Sequence, residues 1–243
     1  MVNKELLLRV MANQHAKDVD SGMPRQIRDE WLSTRQVVVI SGVRRCGKSF
    51  LLRQIREKNT EKEYYFRFDD ERLINFTVED FELLDICLTE LYGDQHTYYF
   101  DEIQNIDGWE LYVRRLYNEG AKVYITGSNA RMLSREMGTH LSGIHIPVEL
   151  YPFSFAEYLQ LNGVSVNKTD CYTTKGAAML SRHLKEYMKK GGFPAYLQGE
   201  SDDYISALYQ SIIYRDVLLR NNITKGREVL EMMHFIASNT AKR

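Results

Sequence analysis

The residues with the clearest chemical potential form a short run, Gly-Val-Arg-Arg-Cys-Gly-Lys-Ser, at positions 42–49. The run fits the phosphate-binding loop pattern G-x-x-x-x-G-K-[ST] at every fixed position, and it follows an apolar stretch at 37–40. Glycines let backbone N–H groups turn toward phosphate oxygens, Lys48 can reach the β- and γ-phosphates, and the Ser49 hydroxyl can ligate magnesium. The alternative, a glycine-rich turn followed by a chance lysine, is disfavoured by the complete pattern and by both flanks. The sequence therefore predicts a bound nucleoside triphosphate, contacted by Gly42, Val43, Arg44, Arg45, Cys46, Gly47, Lys48, Ser49 and Phe50.

A second group is a pair of carboxylates, Asp101 and Glu102, at the end of the apolar stretch 98–100. Hydrolysis of a triphosphate requires a held magnesium ion and an oriented water rather than covalent help from the protein. We therefore assign Asp101 to magnesium, through water ligands, and Glu102 to the attacking water as its base. Alone, such a pair could be an exposed acidic turn, but its place at a strand end downstream of the loop favours catalysis.

Polar residues also end the apolar stretch 122–126, one predicted strand further along the chain. Asn129 is the first candidate to touch the γ-phosphate or the attacking water, and Ser128 is the second. Asn129 could instead cap a helix that begins at Ala130, and the two roles are compatible. The predicted catalytic residues are therefore Glu102, Lys48 and Asn129, with Ser128 as a further nucleotide contact and Ser49 and Asp101 as metal ligands.

These residues must be positioned by alternating strands and helices. Strands are predicted at 37–40, 63–68, 97–100, 122–126 and 144–150, and helices at 49–58, 79–91, 109–118 and 130–137. This alternation predicts an α/β fold of the P-loop NTPase type, a parallel sheet between helices. Ser154 and Glu157 form a capping box for a helix that runs to about residue 161. We expect a nucleotide-binding core with a helical lead-in at 1–161, a linker at 162–174 and a smaller helical region at 175–243, with helices at 175–190, 202–219 and from about 227.

The composition restricts the setting in which this chemistry would occur. The net charge of −1 over 243 residues offers no global field for nucleic acid. The apolar runs have the length of strands and are too short to cross a bilayer, so no membrane association is expected. Three cysteines without C-x-x-C spacing indicate neither a disulfide framework nor a zinc site. We expect a cytoplasmic protein.

Taken together, the motifs resemble those of the AAA+ division of P-loop ATPases. They are most similar to a widespread bacterial and archaeal family of AAA-type ATPases with a C-terminal domain of unknown function. The resemblance extends over nearly the whole chain and is carried by the segments 42–49, 100–104, 125–129, 141–143, 151–158, 191–194 and 214–217. The doubled arginine within the loop and the Pro-Phe-Ser-Phe segment at 152–155 are its most specific features.

The resemblance implies ATP as the nucleotide, Mg²⁺ as its metal, and Asp101 and Glu102 as the metal-side and water-side carboxylates. It also implies a further C-terminal region, so we expect the helical region to be incomplete in this chain. Members of the family usually carry an arginine after Leu-Ser-Gly as a sensor or finger for the γ-phosphate, and this chain has Ile144 there. Either another arginine serves or turnover is weak. The candidates are Arg44, Arg45, Arg131 and Arg135.

Three functions remain open at this point. The first is Mg²⁺-dependent ATP hydrolysis that changes the conformation of the protein or acts on an unknown protein partner, in a monomer or a homo-oligomer. The second is a nucleotide-gated binding module with little turnover, and the third is a DNA-associated ATPase that uses the basic segment 214–227. The Asn-Lys-Thr-Asp run at 167–170 matches a guanine-reading pattern, but no D-x-x-G partner has the right spacing, so GTP is not expected.

Overall fold

A computed structural model describes residues 2–16, 22–128, 140–219 and 222–240. Its centre is a five-stranded parallel sheet in the order β2-β3-β4-β1-β5. All five predicted strands are confirmed, with small differences at their ends. They are β1 (Val37–Gly42), β2 (Tyr65–Arg67), β3 (Thr97–Asp101), β4 (Lys122–Ser128) and β5 (His145–Leu150). The fold is therefore α/β, as predicted.

The register of the sheet places the predicted site residues together at the carboxyl ends of the strands. Gly42 at the end of β1 lies opposite Ser128 of β4 on one side and Leu150 of β5 on the other. Phe100, one residue before the end of β3, lies opposite Ile125 of β4. Because the strands are parallel, the chain leaves β1, β3 and β4 on the same side of the sheet, at the carboxyl ends of these strands.

Each face of the sheet buries its own cluster, because successive side chains of a strand point to opposite faces. Val38 and Ile40 of β1 pack on one face with Tyr99, Tyr124 and Leu52. The opposite face carries the larger, aromatic-rich cluster, which includes Val39, Phe66, Phe100, Ile125 and Tyr112. Among the described residues before β5, the α-helices are α1 (Lys4–His15), α2 (Asp29–Ser33), α3 (Lys48–Lys58), α4 (Phe81–Tyr92) and α5 (Trp109–Asn118).

The predicted helix at 79–91 is divided in the structure. A short 3₁₀ turn, Val78–Asp80, precedes α4. The Asp80 carboxylate accepts hydrogen bonds from the Thr77 N–H (2.8 Å) and from the Val2 N–H (3.2 Å), so it caps the turn and ties the N-terminus to it. Helices α3 and α5 agree with the predicted spans to within one residue, and the predicted helix at 130–137 lies outside the described residues.

Beyond β5 the chain is helical. The capping box is confirmed: Ser154 and Glu157 satisfy each other's backbone N–H groups at the start of α6 (Phe155–Leu161). The predicted linker contains one 3₁₀ turn, Asp170–Tyr172, in which the Asp170 carboxylate accepts from the Asn167 N–H at 2.7 Å. The helices that follow, here the C-terminal helical region, are α7 (Thr174–Lys190), α8 (Pro194–Leu197), α9 (Asp202–Ser211), a π-helix (Ile212–Leu219) and α10 (Gly226–Asn239).

The C-terminal helices differ from the predicted ones in two places. The single helix expected at 202–219 changes at Ile212 into a π-helix. The break after α7 continues into the short α8, and there Gly192 approaches the Pro-Phe-Ser-Phe segment. Its carbonyl accepts from the Phe153 N–H at 2.7 Å, and a Cβ at Gly192 would lie 2.2 Å from the Phe153 oxygen. Only glycine permits this contact, which docks the C-terminal helical region beside the core.

None of the helices in the described ranges has the length and apolar character needed to cross a bilayer.

Candidate active site

The loop between β1 and α3 is a tight turn that requires its glycines. A Cβ at Gly42 would lie 2.3 Å from the Leu150 carbonyl oxygen and 2.8 Å from the Cys46 sulfur, so β1 and β5 could not end this close together with a side chain there. Gly47 (φ +104°) and Arg45 (φ +65°) take up left-handed conformations. Helix α3 then begins directly at Lys48. The amino end of a helix, with unpaired N–H groups and a positive dipole, therefore stands at the end of this loop.

Lys48 is buried beneath the loop and its ammonium is held by backbone oxygens. The side chain is 5 % exposed, and Nζ lies 3.2 Å from the Gly42 carbonyl and 3.3 Å from the Val43 carbonyl. The same Nζ lies 4.0 Å from Glu102 Oε1. A buried ammonium needs such partners. The arrangement brings together the loop lysine and the carboxylate predicted to act on water.

Asp101 ends β3 and is 1 % exposed. Its Oδ1 accepts hydrogen bonds from the Ser49 hydroxyl (3.0 Å) and from the Thr126 hydroxyl, while Oδ2 is buried and has no hydrogen-bond partner among the described residues. Burial raises the pKa of this carboxyl above its usual range, and the nearby Glu102 raises it further against the lowering effect of the two hydroxyl bonds. A buried carboxylate oxygen beside a serine hydroxyl is a donor set that suits a hard divalent cation.

The residues present therefore fit Mg²⁺, the metal implied by the family resemblance. A cation or its bound water would give Asp101 Oδ2 the partner that the described residues do not provide, and Ser49 offers a second hard oxygen. A bound cation would act against the effect of burial on the pKa of Asp101, because its positive charge favours the ionised carboxylate. The predicted metal ligands are thus in contact with each other.

Glu102 follows β3 in a left-handed conformation (φ +56°, ψ +37°) that is uncommon for a residue with a Cβ. Its N–H donates to the Thr126 hydroxyl at 3.0 Å, and its side chain is 27 % exposed. The turn directs the chain away from the sheet so that the carboxylate stands beside Lys48. The structure thus brings together Lys48, Ser49, Asp101 and Glu102.

Two residues that sequence reasoning left without a role belong to this cluster. Thr126, fully buried in β4, joins Asp101 and Glu102 through a single hydroxyl. Gln104, 6 % exposed, donates its Nε2 hydrogen to Glu102 Oε2. A polar residue inside an otherwise apolar strand was the available signal for Thr126. Gln104 becomes significant only through the turn at Glu102.

The predicted contacts Val43, Cys46 and Phe50 differ in exposure. Val43 and Phe50 are partly exposed at 36 % and 43 %, and the Phe50 ring lies against Gly22 and under the Arg53 guanidinium (5.6 Å). Cys46 is fully buried and burial raises the pKa of its thiol, so its side chain packs inward and only its backbone is available to a nucleotide.

Arg44 and Arg45 differ in what they contact. The Arg44 Nε atom lies 3.8 Å from Asp216 Oδ2, in the π-helix of the C-terminal helical region. Arg45 occupies the exposed, left-handed tip of the loop. Asn129, Arg131 and Arg135 lie outside the described residues, and for Ser128 only the backbone position opposite Gly42 is described.

Ile144 lies at the amino ends of the strands, whereas the phosphate-binding loop lies at their carboxyl ends. It directly precedes β5, its carbonyl accepts from the Val37 N–H (2.9 Å), and its side chain packs against the core. Val37 and Gly42 are the two ends of β1, about 17 Å apart at the usual rise of a strand. An arginine at position 144 would therefore be remote from this chain's own loop. This position does not support a contact between residue 144 and the loop of the same chain, and the expectation that another arginine serves or that turnover is weak stays a prediction.

Relatives of the chain have been found in archaea and bacteria. An uncharacterized protein of Methanocaldococcus jannaschii is 36 % identical over 204 residues, covering 82 % of this chain and 45 % of that protein. An uncharacterized protein of Haemophilus influenzae is 30 % identical over 226 residues, covering 88 % and 54 %. The chain thus spans about half the length of these relatives.

Among solved structures, AMPPCP-bound DnaA from Aquifex aeolicus aligns with 88 % of this chain and 68 % of its own, at 14 % identity and a TM-score of 0.45. A family profile described as an AAA domain matches residues 34–159, which is more than half of the chain. The matched span runs from just before β1 to within α6 and includes the whole site built around Lys48, Asp101 and Glu102. The chain therefore belongs to the AAA domain family of P-loop proteins.

Proposed function

We propose that the protein binds ATP with Mg²⁺ and hydrolyses it at the site between β1, β3 and β4. The main support for the proposal is the buried Asp101 carboxylate, which joins the Ser49 hydroxyl of the loop to the end of β3, directly before Glu102. Within the described part of the chain, one oxygen of this carboxylate has no hydrogen-bond partner, so the site has an acceptor to offer to a metal ion. Family membership supports nucleotide binding, and this geometry supports hydrolysis.

Each residue has a distinct part in the proposed reaction. The loop N–H groups and the Lys48 ammonium bind the β- and γ-phosphates, with Lys48 exchanging the Gly42 and Val43 carbonyls for phosphate oxygens. Ser49 and Asp101 would hold Mg²⁺, which neutralises charge on the phosphates when bound. Glu102 accepts a hydrogen bond from the attacking water and orients it. Asn129 and Ser128 remain our candidates for contacts to the γ-phosphate.

The direct test is phosphate release from ATP by the purified protein, with and without Mg²⁺ and with and without DNA. We expect Mg²⁺-dependent release that Glu102→Gln lowers to a small residual rate while ATP stays bound, and we expect Lys48→Ala to lose binding as well. Lys58→Ala, at the far end of α3, is the matched lysine control and should behave like the wild type. Normal turnover in Glu102→Gln would remove Glu102 from its role. Stimulation by DNA would favour the DNA-associated ATPase.

We also propose that nucleotide binding is coupled to the C-terminal helical region through Arg44 and Asp216. The pair is partly solvated, with side chains 42 % and 16 % exposed, and the two atoms are 3.8 Å apart. Such a pair contributes less than about 1 kcal/mol. A phosphate group carries more charge than a carboxylate, so ATP in the loop would compete for Arg44 and loosen the contact with the π-helix.

Limited proteolysis with and without ATP tests this coupling. ATP should increase cleavage within 212–226 in the wild type, whereas Asp216→Asn should be cleaved there even without ATP. Asp203→Asn, an exposed carboxylate of α9, is the control. Identical cleavage patterns in all samples would contradict the coupling. ATP-dependent cleavage without phosphate release would favour the second candidate, a nucleotide-gated binding module with little turnover.

A further inference from the structure

The side chain of Glu102 requires more restraint than its backbone provides. The left-handed turn and the bond from its N–H to Thr126 fix where the residue begins. A glutamate still has three rotatable bonds beyond that point, and a water-orienting carboxylate must present one oxygen in one place. With 27 % of the side chain exposed, packing alone does not provide this restraint.

Gln104 supplies a contact that would fix the carboxylate. It lies in the 3₁₀ turn Ile103–Asn105, which begins directly after Glu102, and it is 6 % exposed. Its Nε2 donates to Glu102 Oε2, while Oε1, the other carboxylate oxygen, lies 4.0 Å from Lys48 Nζ. The two oxygens are therefore differentiated: one is engaged by the amide, and the other faces the lysine of the phosphate loop.

We propose that Gln104 is a positioning residue for Glu102. It holds the carboxylate by Oε2 so that Oε1 is directed toward the reacting phosphate and its attacking water. The inference rests on the proposed ATP hydrolysis and adds to it the residue that orients the base. Hydrogen bonds to an ionised acceptor are short, strong and directional, which suits this task. Because Gln104 acts through Glu102, it should affect the chemical step and leave ATP binding unchanged.

Replacement of Gln104 by residues of similar size tests the proposal. Gln104→Met fills the same volume without a donor, and Gln104→Glu places a second carboxylate where the amide was. We expect kcat to fall about 10- to 100-fold in both, equivalent to about 1.4–2.7 kcal/mol, with the Kd for ATP within about twofold of the wild type. Asn105→Ala, in the same turn, is the control and should retain kcat.

Combination with Glu102→Gln separates positioning from a general structural role. If Gln104 acts only through Glu102, then Gln104→Met should cause no further loss of rate in the Glu102→Gln background. An additive loss, or equal weakening of kcat, ATP binding and thermal stability in Gln104→Met alone, would overturn the proposal. Unchanged kcat in Gln104→Met would overturn it too and leave the proposed function intact. A wild-type protein that releases no phosphate would overturn both.

Discussion

The core and the C-terminal helical region bury their apolar residues to very different extents. In the core, Phe100 and Tyr124 are fully buried on opposite faces of the sheet. In α10 none of the described side chains is buried, and Phe235 is 69 % exposed. Rigid packing therefore holds the candidate site, while the helical region has few buried contacts and should open locally at low cost. A site that demands fixed distances is thus joined to a region suited to movement.

The largest expected effect is a loss of folding stability, and it should distinguish a phenylalanine of the core from one of the helical region. Phe100→Ala should destabilise the protein by about 3–5 kcal/mol, because it leaves a cavity in the aromatic cluster. Phe235→Ala should change the free energy of unfolding by less than about 0.5 kcal/mol, because its ring is mostly in solvent. Denaturant unfolding measures both. A large loss in Phe235→Ala would mean that α10 is covered by a partner or a second copy in solution, and the comparison would no longer hold.

Two glycines with equally close contacts permit a second comparison. In Gly42→Ala the new Cβ would meet the Leu150 oxygen, and in Gly192→Ala it would meet the Phe153 oxygen, at 2.3 and 2.2 Å. Each should cost about 1–3 kcal/mol. Gly42→Ala should also abolish ATP binding, whereas Gly192→Ala should leave the Kd unchanged and make α7 sensitive to protease. Loss of ATP binding in Gly192→Ala would show that the helical region takes part in forming the site.

Substitution of Asp101 should have a smaller effect on stability than the glycine substitutions, and it should stabilise the protein rather than destabilise it. Its pKa is raised in the folded protein, mainly by burial, so the folded state binds this proton more tightly than the unfolded state. The resulting stability is present below the unfolded pKa of about 3.8 and is lost as pH rises through the folded pKa. At neutral pH, without Mg²⁺, Asp101→Asn should therefore raise the melting temperature by about 2–4 °C, for a gain on the order of 1 kcal/mol. It should also abolish Mg²⁺-dependent hydrolysis.

Scanning calorimetry of the metal-free protein at pH 7 and pH 5 tests the Asp101 prediction. Glu102→Gln is the matched control, since this side chain is partly exposed and should gain less stability. A lower melting temperature in Asp101→Asn at pH 7 would contradict the assignment of burial as the dominant influence on this carboxyl.

The smallest effect on phosphate release is expected for a substitution at Ile144, at the amino ends of the strands and away from the site. Ile144→Arg places an arginine beside the start of β1, so phosphate release at low protein concentration should stay within about twofold of the wild type. A rate that rises with protein concentration only in this variant would indicate that the arginine reaches a neighbouring copy. A large gain at every concentration would contradict the position of Ile144 relative to its own loop.

The sheet could be predicted from the sequence because parallel buried strands are nearly continuous apolar runs, and all five were found. The capping box at Ser154 has a strictly local signal and was predicted for the same reason. The turn before α4 was missed although its capping box, formed by Thr77 and Asp80, is local. The additional contact of Asp80 with Val2, 78 residues away, could not be predicted from a local pattern. The π-helix after Ser211 has no local signature that helical periodicity would reveal.

The residues of the candidate site also fall into those that the sequence could predict and those that it could not. The contact between Ser49 and Asp101 follows from two local motifs and the order of the strands, so the metal-side pair could be anticipated. Thr126 and Gln104 could not be assigned, because one requires the register between β3 and β4 and the other requires the left-handed backbone at Glu102. The position of Ile144 likewise depends on the direction of β5, which a motif does not show.

The left-handed conformation of Glu102 has a consequence for the evolution of this family. Glycine is the residue that this backbone angle suits best, and for other residues the angle costs on the order of 1 kcal/mol. Substitution by glycine would relieve that cost and delete the carboxylate in one step. If the proposed hydrolysis holds, lineages in which turnover is no longer selected should therefore lose Glu102 early, and the residue at this position should distinguish relatives that hydrolyse nucleotide from relatives that only bind it.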